Sequence, residues 1–189
     1  MRYLIIRSSD KMANDDIVVL KECLRGALEL QKLDIFEDYI IVYYENTDEV
    51  NLFDLFNMIN TELYLDVKGF LSKEFELIDN DYLMWTIECF LQYKESKYLI
   101  TEKDLLLEKM GYDNQLVKKN VLKSYYNDHN CMNMLKVFFE CNLNTSKAAD
   151  LLYMHRNTLI NKLDRFIETT GYDIRNFQDA AVIYTLIMC

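Results

Sequence analysis

Polar side chains with the chemistry for DNA contact gather near the carboxyl end of the chain. Arginine and lysine neutralise phosphates or make forked contacts to guanine, asparagine pairs bidentately with adenine, and a threonine methyl group touches the thymine methyl group. At about 100° per residue, one side of a helix carries Asn157, Thr158, Asn161, Asp164 and Arg165. The other side carries Leu159, Leu163, Phe166 and Ile167 and is expected to pack inward. The polar side is therefore a candidate surface for double-stranded DNA.

Two helices joined by a tight turn are expected to position these side chains. Thr145 and Ser146 are able to accept hydrogen bonds from the free N–H groups of a starting helix, which predicts a first helix over residues 146–152. Residues 153–155 form the predicted turn. A longer helix follows and runs until Gly171, because glycine suits the left-handed position after a helix. The pattern predicts a helix-turn-helix.

The residues of this segment resemble the C-terminal helix-turn-helix of PucR/CdaR-type transcriptional regulators. The motif is Ala149-x-x-Leu152-x-Met154-His155-Arg156-Asn157-Thr158-Leu159, followed by Lys162, Leu163, Arg165 and Thr170-Gly171-Tyr172-Asp173. The resemblance covers residues 120–188, with a helical lead-in at 134–140 and a closing helix at 178–188. The helix pair is also similar to the DNA-binding end of the nucleoid protein Fis. This resemblance implies DNA contacts from His155, Arg156, Thr158, Asn161 and Lys162.

The chain departs from the family pattern at several positions. Ile160 and Asp164 stand where the family usually has additional arginines, and Asn142 and Leu143 replace a common glycine pair before the first helix. Fewer phosphate contacts predict weaker binding to DNA.

Charge is the main argument against a nucleic-acid partner. Residues 1–131 hold 15 Lys or Arg against 25 Asp or Glu, whereas residues 132–189 hold six of each, and the whole chain has a net charge of −10. The acidic part repels DNA, so binding requires an oriented local patch. We expect modest affinity from one module, raised in a homodimer by two half-sites about one helical turn apart.

The amino-terminal part alternates short apolar runs with segments of helical spacing, which predicts a sheet covered by helices. Strands are predicted at residues 2–8, 38–45, 66–75 and 98–100, and helices at 15–31, 49–65, 81–94, 102–110 and 114–126, with Gly111 ending one of them. The family resemblance implies that this part is a degenerate GGDEF-like domain with a ferredoxin-like sheet. The expected fold class is α+β, with an α/β domain at residues 1–112 and an all-α, Fis-like helix-turn-helix domain at residues 113–189.

Enzymatic and metal-binding chemistry find little support in the sequence. The four glycines are isolated, so no phosphate loop is present, and residues 33–42, which correspond to the glycine-containing hairpin of a diguanylate cyclase, contain no glycine. His129, Cys131 and Cys141 lack a fourth ligand and match no standard zinc spacing. Trp85, Tyr82 and Phe90 recur at helical intervals and are expected in the core. We predict no catalytic residues, no metal and no cofactor.

The apolar runs are too short for a membrane helix or a signal peptide, and five scattered cysteines indicate reduced thiols, so a cytoplasmic protein without membrane association is expected. The main hypothesis is a dimeric, sequence-specific DNA-binding regulator. The alternative is a protein-interaction module that has kept the helix-turn-helix and lost DNA affinity, and an enzyme on the α/β part is a third interpretation. The sequence identifies no small-molecule effector.

Overall fold

The computed structural model describes residues 1–9, 12–45, 51–94, 96–109 and 115–188. The chain divides into two compact units, residues 1–105 and 106–189. The predicted helix end at Gly111 and the predicted domain boundary after residue 112 lie outside the described residues. Within those residues, no helix is both long enough and apolar enough to cross a bilayer.

The first unit is a five-stranded sheet with helices on both faces. The order of elements is β1 (Arg2–Ser8), α1 (Asn14–Ala27), β2 (Glu29–Ile35), β3 (Ile40–Glu45), α2 (Leu52–Thr61), β4 (Val67–Leu71), α3 (Asn80–Gln92), β5 (Leu99–Thr101) and the start of α4 (Glu102–Glu108). Strands lie in the order β2-β3-β1-β4-β5, and β1 is antiparallel to both of its neighbours. The first six elements follow the ferredoxin-like β-α-β-β-α-β order. The expected α+β fold class is confirmed.

Alternation along the strands divides the apolar side chains of the first unit between two cores. Leu4 and Ile6 of β1 pack with Leu24 of α1 and Phe56 of α2 on one face of the sheet. On the other face, Tyr3 and Ile5 pack with residues of α3, among them Ile87 and Phe90. Phe90 lies in the core as predicted, while Tyr82 and Trp85 are half-buried and stack on each other at 5.5 Å.

The predicted helix at residues 15–31 is wrong at its carboxyl end. Helix α1 ends at Ala27, and Glu29–Ile35 form β2, a strand that was not predicted. Within the described part of the chain, strand β2 lies at the edge of the sheet, pairs only with β3 and carries Lys32 and Asp34. Charged residues on an edge strand obscure the alternating apolar pattern that normally identifies a strand.

The second unit is built of helices. They are α5 (Gln115–Leu122), a 3-10 turn (Lys123–Tyr125), α6 (His129–Glu140), α7 (Thr145–Leu151), α8 (Arg156–Thr170) and α9 (Phe177–Met188). The core beneath α8 contains Leu159, Leu163 and Phe166, and the Phe166 ring packs on Tyr125 with centroids 5.3 Å apart. The apolar side predicted for this helix is therefore the side that is buried.

Candidate nucleic-acid interface

Helices α7 and α8, joined by residues 152–155, form the predicted helix-turn-helix. Ala148 and Ala149 of α7 are fully buried, and their small side chains let the two helices approach closely. The predicted caps Thr145 and Ser146 are wrong. The side-chain oxygen of Asn144 accepts hydrogen bonds from the backbone N–H groups of Ser146 and Lys147, both at 3.1 Å, so the cap lies one residue earlier.

The turn between the two helices holds a tyrosine in the left-handed region of the backbone. Tyr153 has φ 50°, and its N–H donates to the Asp150 carbonyl, while the Met154 N–H donates to the Ala149 carbonyl. The Tyr153 side chain is 98% exposed, so its packing contributes little to holding this conformation. Backbone hydrogen bonds therefore close the turn at a residue that is disfavoured there.

The two residues that replace the family's glycine pair also have a left-handed backbone. Asn142 and Leu143 have φ values of 53° and 61°, both in the left-handed region that glycine adopts easily. Their N–H groups donate to the Phe139 and Phe138 carbonyls at the end of α6. The chain therefore keeps a left-handed connection before α7 without using glycine.

His155 occupies the cap position of α8. Its Nδ1 atom accepts a hydrogen bond from the Asn157 backbone N–H at 3.2 Å. An imidazole that accepts at Nδ1 is neutral and carries its proton on Nε2, where it is able to donate. The end of α8 also follows the sequence expectation, because Gly171 takes a left-handed conformation with φ 74°.

All seven predicted DNA-contacting side chains are exposed on the described surface of the second unit. They are His155, Arg156, Asn157, Thr158, Asn161, Lys162 and Arg165. The Arg156 Nε atom donates to the Thr145 hydroxyl at 3.4 Å, which links the start of α8 to the start of α7. The structure thus places cationic, amide and hydroxyl groups along the first three turns of one helix.

Asp164, one of the two acidic residues on this helix, has a basic partner that was not predicted. Arg175 Nη1 lies 2.9 Å from Asp164 Oδ1, and Arg175 Nε lies 2.9 Å from Asp173 Oδ1. The hydrogen bond from Arg175 holds the pKa of Asp173 below its ordinary value, and the same bond raises the pKa of Arg175. Asp164 is therefore ion-paired, but it shares the single positive charge of Arg175 with Asp173.

The cysteine and histidine residues of α6 are too far apart to hold one metal ion together. His129 is the first residue of α6 and Cys141 is its C-cap. Twelve residues of helix separate the two by about 18 Å. Burial raises the pKa of the Cys131 thiol to about 12, so this thiol stays protonated at neutral pH.

Comparison with known proteins places this helix-turn-helix among regulator domains. Residues 131–188 match the family described as the PucR C-terminal helix-turn-helix domain. A 54-residue stretch is 37% identical to the uncharacterized protein YxkF of Bacillus subtilis (strain 168), over 29% of this chain and 18% of that protein. A 66-residue stretch is 33% identical to the carbohydrate diacid regulator of Escherichia coli (strain K12), over 35% of this chain and 17% of the regulator. The matches span less than a fifth of either relative.

A solved structure resembles the whole chain in fold. The regulator of polyketide synthase expression from Bifidobacterium adolescentis superposes with a TM-score of 0.54, at 14% sequence identity, over 100% of this chain and 78% of that chain. At this identity the likeness shows the fold alone. The resemblance to PucR/CdaR-type regulators is confirmed on the residues of the C-terminal domain.

Proposed function

We propose that this chain is a cytoplasmic, sequence-specific transcriptional regulator that binds double-stranded DNA as a homodimer and places the amino-terminal turns of α8 in the major groove. The observation that carries the proposal is the joint exposure of the seven polar side chains on a helix whose other side buries Leu159, Leu163 and Phe166. A rigid helix with this division docks into a groove without rearrangement of its core.

The side chains of α8 divide into two kinds of contact. Arg156, Lys162 and Arg165 supply the cationic groups that neutralise phosphates or read guanine, and Asn157 and Asn161 supply amides that pair with adenine. Thr158 adds a methyl and a hydroxyl group to these contacts, and the Nε2–H of His155 adds one more donor. Phosphate contacts set affinity and its dependence on salt, while the amide contacts set sequence preference.

The test begins with selection of bound duplexes from a random pool, which yields both the sequence and the spacing of half-sites. On the selected duplex, we expect Arg156→Ala and Lys162→Ala each to weaken binding about 5- to 100-fold. Each loss of a phosphate contact should also lower the slope of log K against log salt by about 1. Two half-sites separated by about 34 Å are expected from a homodimer.

Lys136→Ala is the matched control, since Lys136 is an exposed lysine on α6 of the same unit and its loss removes the same charge. Affinity should change less than twofold in this variant. Equal losses in Lys136→Ala and Lys162→Ala would mean that net charge, rather than the α8 face, governs binding. If both Arg156→Ala and Lys162→Ala leave the affinity for DNA unaltered, the α8 face is not the DNA-contacting surface.

The first unit is proposed to be a degenerate GGDEF-like domain that serves dimerisation or signal input. Its support is the ferredoxin-like order of the first six elements together with the position of the unit ahead of the helix-turn-helix. Sedimentation of the full chain over a range of concentrations measures the dimer. A monomer at every concentration, together with a single half-site in the selected duplexes, contradicts the dimer and leaves DNA binding by one copy intact.

A protein-interaction module is the second candidate function. The observation in its favour is the acidity of the first unit, which has 11 Lys or Arg against 22 Asp or Glu. Absence of any salt-sensitive complex with the random pool, measured at about 50 mM salt where phosphate contacts are strongest, would favour this candidate over the regulator.

A further inference from the structure

An open groove of about 580 Å³ lies along α3 of the first unit. Helix α3 packs on the face of the sheet opposite to α1 and α2. The groove, called the α3 groove below, is lined by one stripe of this helix, at intervals of three or four residues, and by the residue before β3, namely Asp81, Met84, Trp85, Glu88, Leu91 and Tyr39. One face of one helix therefore forms most of its wall.

Apolar side chains of the α3 groove are exposed in the part of the chain that the structure describes. Met84 is 60% exposed although it lies in the middle of a helix, and Trp85 is only half-buried. Phe36 is 47% exposed and stacks on Tyr39 with ring centroids 4.6 Å apart, so it extends the apolar surface beyond the groove. Methionine and aromatic side chains are enriched where proteins bind each other, and methionines adapt to a helix laid in a groove. The surface has the composition of a helix-binding groove.

Two carboxylates accompany this apolar surface. Asp81 and Glu88 are both exposed, and seven residues of helix place them about 10 Å apart along α3. Among the described residues, neither carboxylate forms an ion pair. Asp81 lies in the first turn, where a carboxylate stabilises the helix, but Glu88 lies in the third turn and has no such role. The groove therefore has the charge that attracts a cationic partner.

A second copy of this chain is disfavoured as the occupant of the α3 groove. In a two-fold contact between two α3 helices, the same stripe lies on both sides. Antiparallel helices would bring Asp81 of one copy against Glu88 of the other, and parallel helices would bring each carboxylate against its own counterpart. Like charges in contact repel, so the charges of the stripe favour a different protein that carries the opposite sign.

We propose that the α3 groove binds a cationic amphipathic α-helix of another protein. The apolar side chains of that helix pack on Tyr39, Met84 and Trp85. Its lysine or arginine side chains pair with Asp81 and Glu88. A helix laid along α3 supplies this pattern, because basic residues seven positions apart lie on one side of it, with apolar residues between them. The proposal deepens the input role proposed for the first unit and does not depend on DNA binding.

The test is a display selection on the immobilised full chain. The library consists of helical peptides without tryptophan, in which one face is randomised. We expect the enriched sequences to carry two basic residues seven positions apart, with apolar residues between them. Binding of an enriched peptide should also change the fluorescence of Trp85, which is the only tryptophan of the chain and lies in the groove. No enrichment, enrichment of acidic or uncharged sequences, or binding without a change in Trp85 fluorescence overturns the proposal.

Exchange of charges identifies the contact with Glu88. Glu88→Lys should weaken the enriched peptide about fivefold, and replacing one of the two basic residues of the peptide by glutamate should recover this loss. Glu62→Lys is the matched control, because Glu62 is an exposed carboxylate at the end of α2, on the other face of the sheet. Equal weakening by the two variants, or no recovery with either exchanged peptide, would mean that general charge and not the groove sets affinity.

Met84→Ala tests the apolar contact and should weaken the peptide about tenfold. Its control is Val18→Ala, since Val18 is 59% exposed on α1 and its substitution should leave the affinity unchanged. Sedimentation of Glu88→Lys distinguishes a second copy from another protein, because self-association should not change in this variant. Loss of self-association in Glu88→Lys, or equal effects of Met84→Ala and Val18→Ala, contradicts the proposal. Arg156→Ala should leave the affinity for the peptide unchanged, so failure of DNA binding is a separate result.

Discussion

The two units of this chain are constrained in different ways. The first carries 22 Asp or Glu against 11 Lys or Arg, while the second carries nine against ten and is close to neutral. Among described residues outside glycine, the first unit has one left-handed backbone position, Tyr64, and the second has four, namely Lys123, Asn142, Leu143 and Tyr153. In the sheet unit, close side-chain packing restricts which substitutions are tolerated. In the helical unit, the strained turns that orient the helices are the main restriction.

This difference bears on the proposed function. A repulsive acidic unit leaves DNA binding to a few oriented side chains, so the orientation of α8 matters more than the total charge. The turns on either side of α7 set that orientation. Backbone strain at Leu143 and Tyr153 lies within the connections that present the candidate surface.

The packing limit of the sheet unit predicts the largest effect. A Cβ atom on Gly69 would lie 2.5 Å from Phe56 Cε1 and 2.7 Å from Leu99 Cδ1, and Phe56 is fully buried. Gly69→Ala should therefore lower the free energy of unfolding of the first unit by about 1–3 kcal/mol. Fluorescence of Trp85, which is the only tryptophan and lies in α3, reports unfolding of this unit in denaturant.

Gly26→Ala is the matched control for that experiment. Gly26 lies in α1, and a Cβ atom there meets nothing within 4 Å, so the substitution should stabilise the helix by about 0.5–1 kcal/mol. If Gly69→Ala is as well tolerated as Gly26→Ala, packing does not constrain the sheet in the way we describe.

The strain in the helical unit predicts an effect of intermediate size and opposite sign. Tyr153→Gly removes a left-handed conformation from an L residue and loses little packing, since the side chain is 98% exposed. The free energy of unfolding of the second unit should rise by about 1 kcal/mol. This is the penalty that an L residue has in the left-handed conformation, reduced by the conformational entropy that glycine adds to the unfolded chain. Gly171→Ala should lose about 1 kcal/mol, because Gly171 occupies the equivalent position after α8 with φ 74°.

Hydrogen exchange of peptides from α7 and α8 measures both changes within the helical unit. Slower exchange in Tyr153→Gly and faster exchange in Gly171→Ala are the expected results. A loss of protection in Tyr153→Gly contradicts the assignment of strain to this turn.

Several of these features could be predicted from the sequence, and the exceptions have physical causes. Strand β1 and the end of α8 at Gly171 follow local rules, apolar β-branched runs in one case and left-handed glycine in the other. Strand β2 was missed because an edge strand needs no apolar alternation.

In the candidate site, too, features set by local sequence could be predicted and features set by tertiary contacts could not. Exposure of the α8 side chains follows from helical spacing, but the Arg175–Asp164 pair joins residues eleven positions apart through a turn whose geometry the sequence does not reveal. The left-handed Asn142 and Leu143 were visible only as departures from a glycine pattern.

The smallest expected effect is on the stability of the two units in acid. The two units differ here because their carboxylates are buried to different extents. Burial alone raises the pKa of Asp104, but hydrogen bonds from Lys97 and Thr101 outweigh it and hold the pKa below its ordinary value. A carboxyl with a depressed folded-state pKa stabilises above its unfolded pKa of about 3.9, and this stabilisation is lost as pH falls through the folded value. The first unit should therefore lose stability below about pH 4, and Asp104→Asn should flatten that part of the profile.

Asp173 provides the comparison in the second unit. Its pKa is also depressed, by the hydrogen bond from Arg175, but both side chains are more than 40% exposed and solvent screens the pair. Asp173→Asn should therefore change the acid profile less than Asp104→Asn, because the Asp104 side chain is only 21% exposed. Trp85 fluorescence for the first unit and exchange of α8 peptides for the second, each measured from pH 6 to pH 3, give the two profiles. If Asp173→Asn has the larger effect, burial does not separate the electrostatics of the two units.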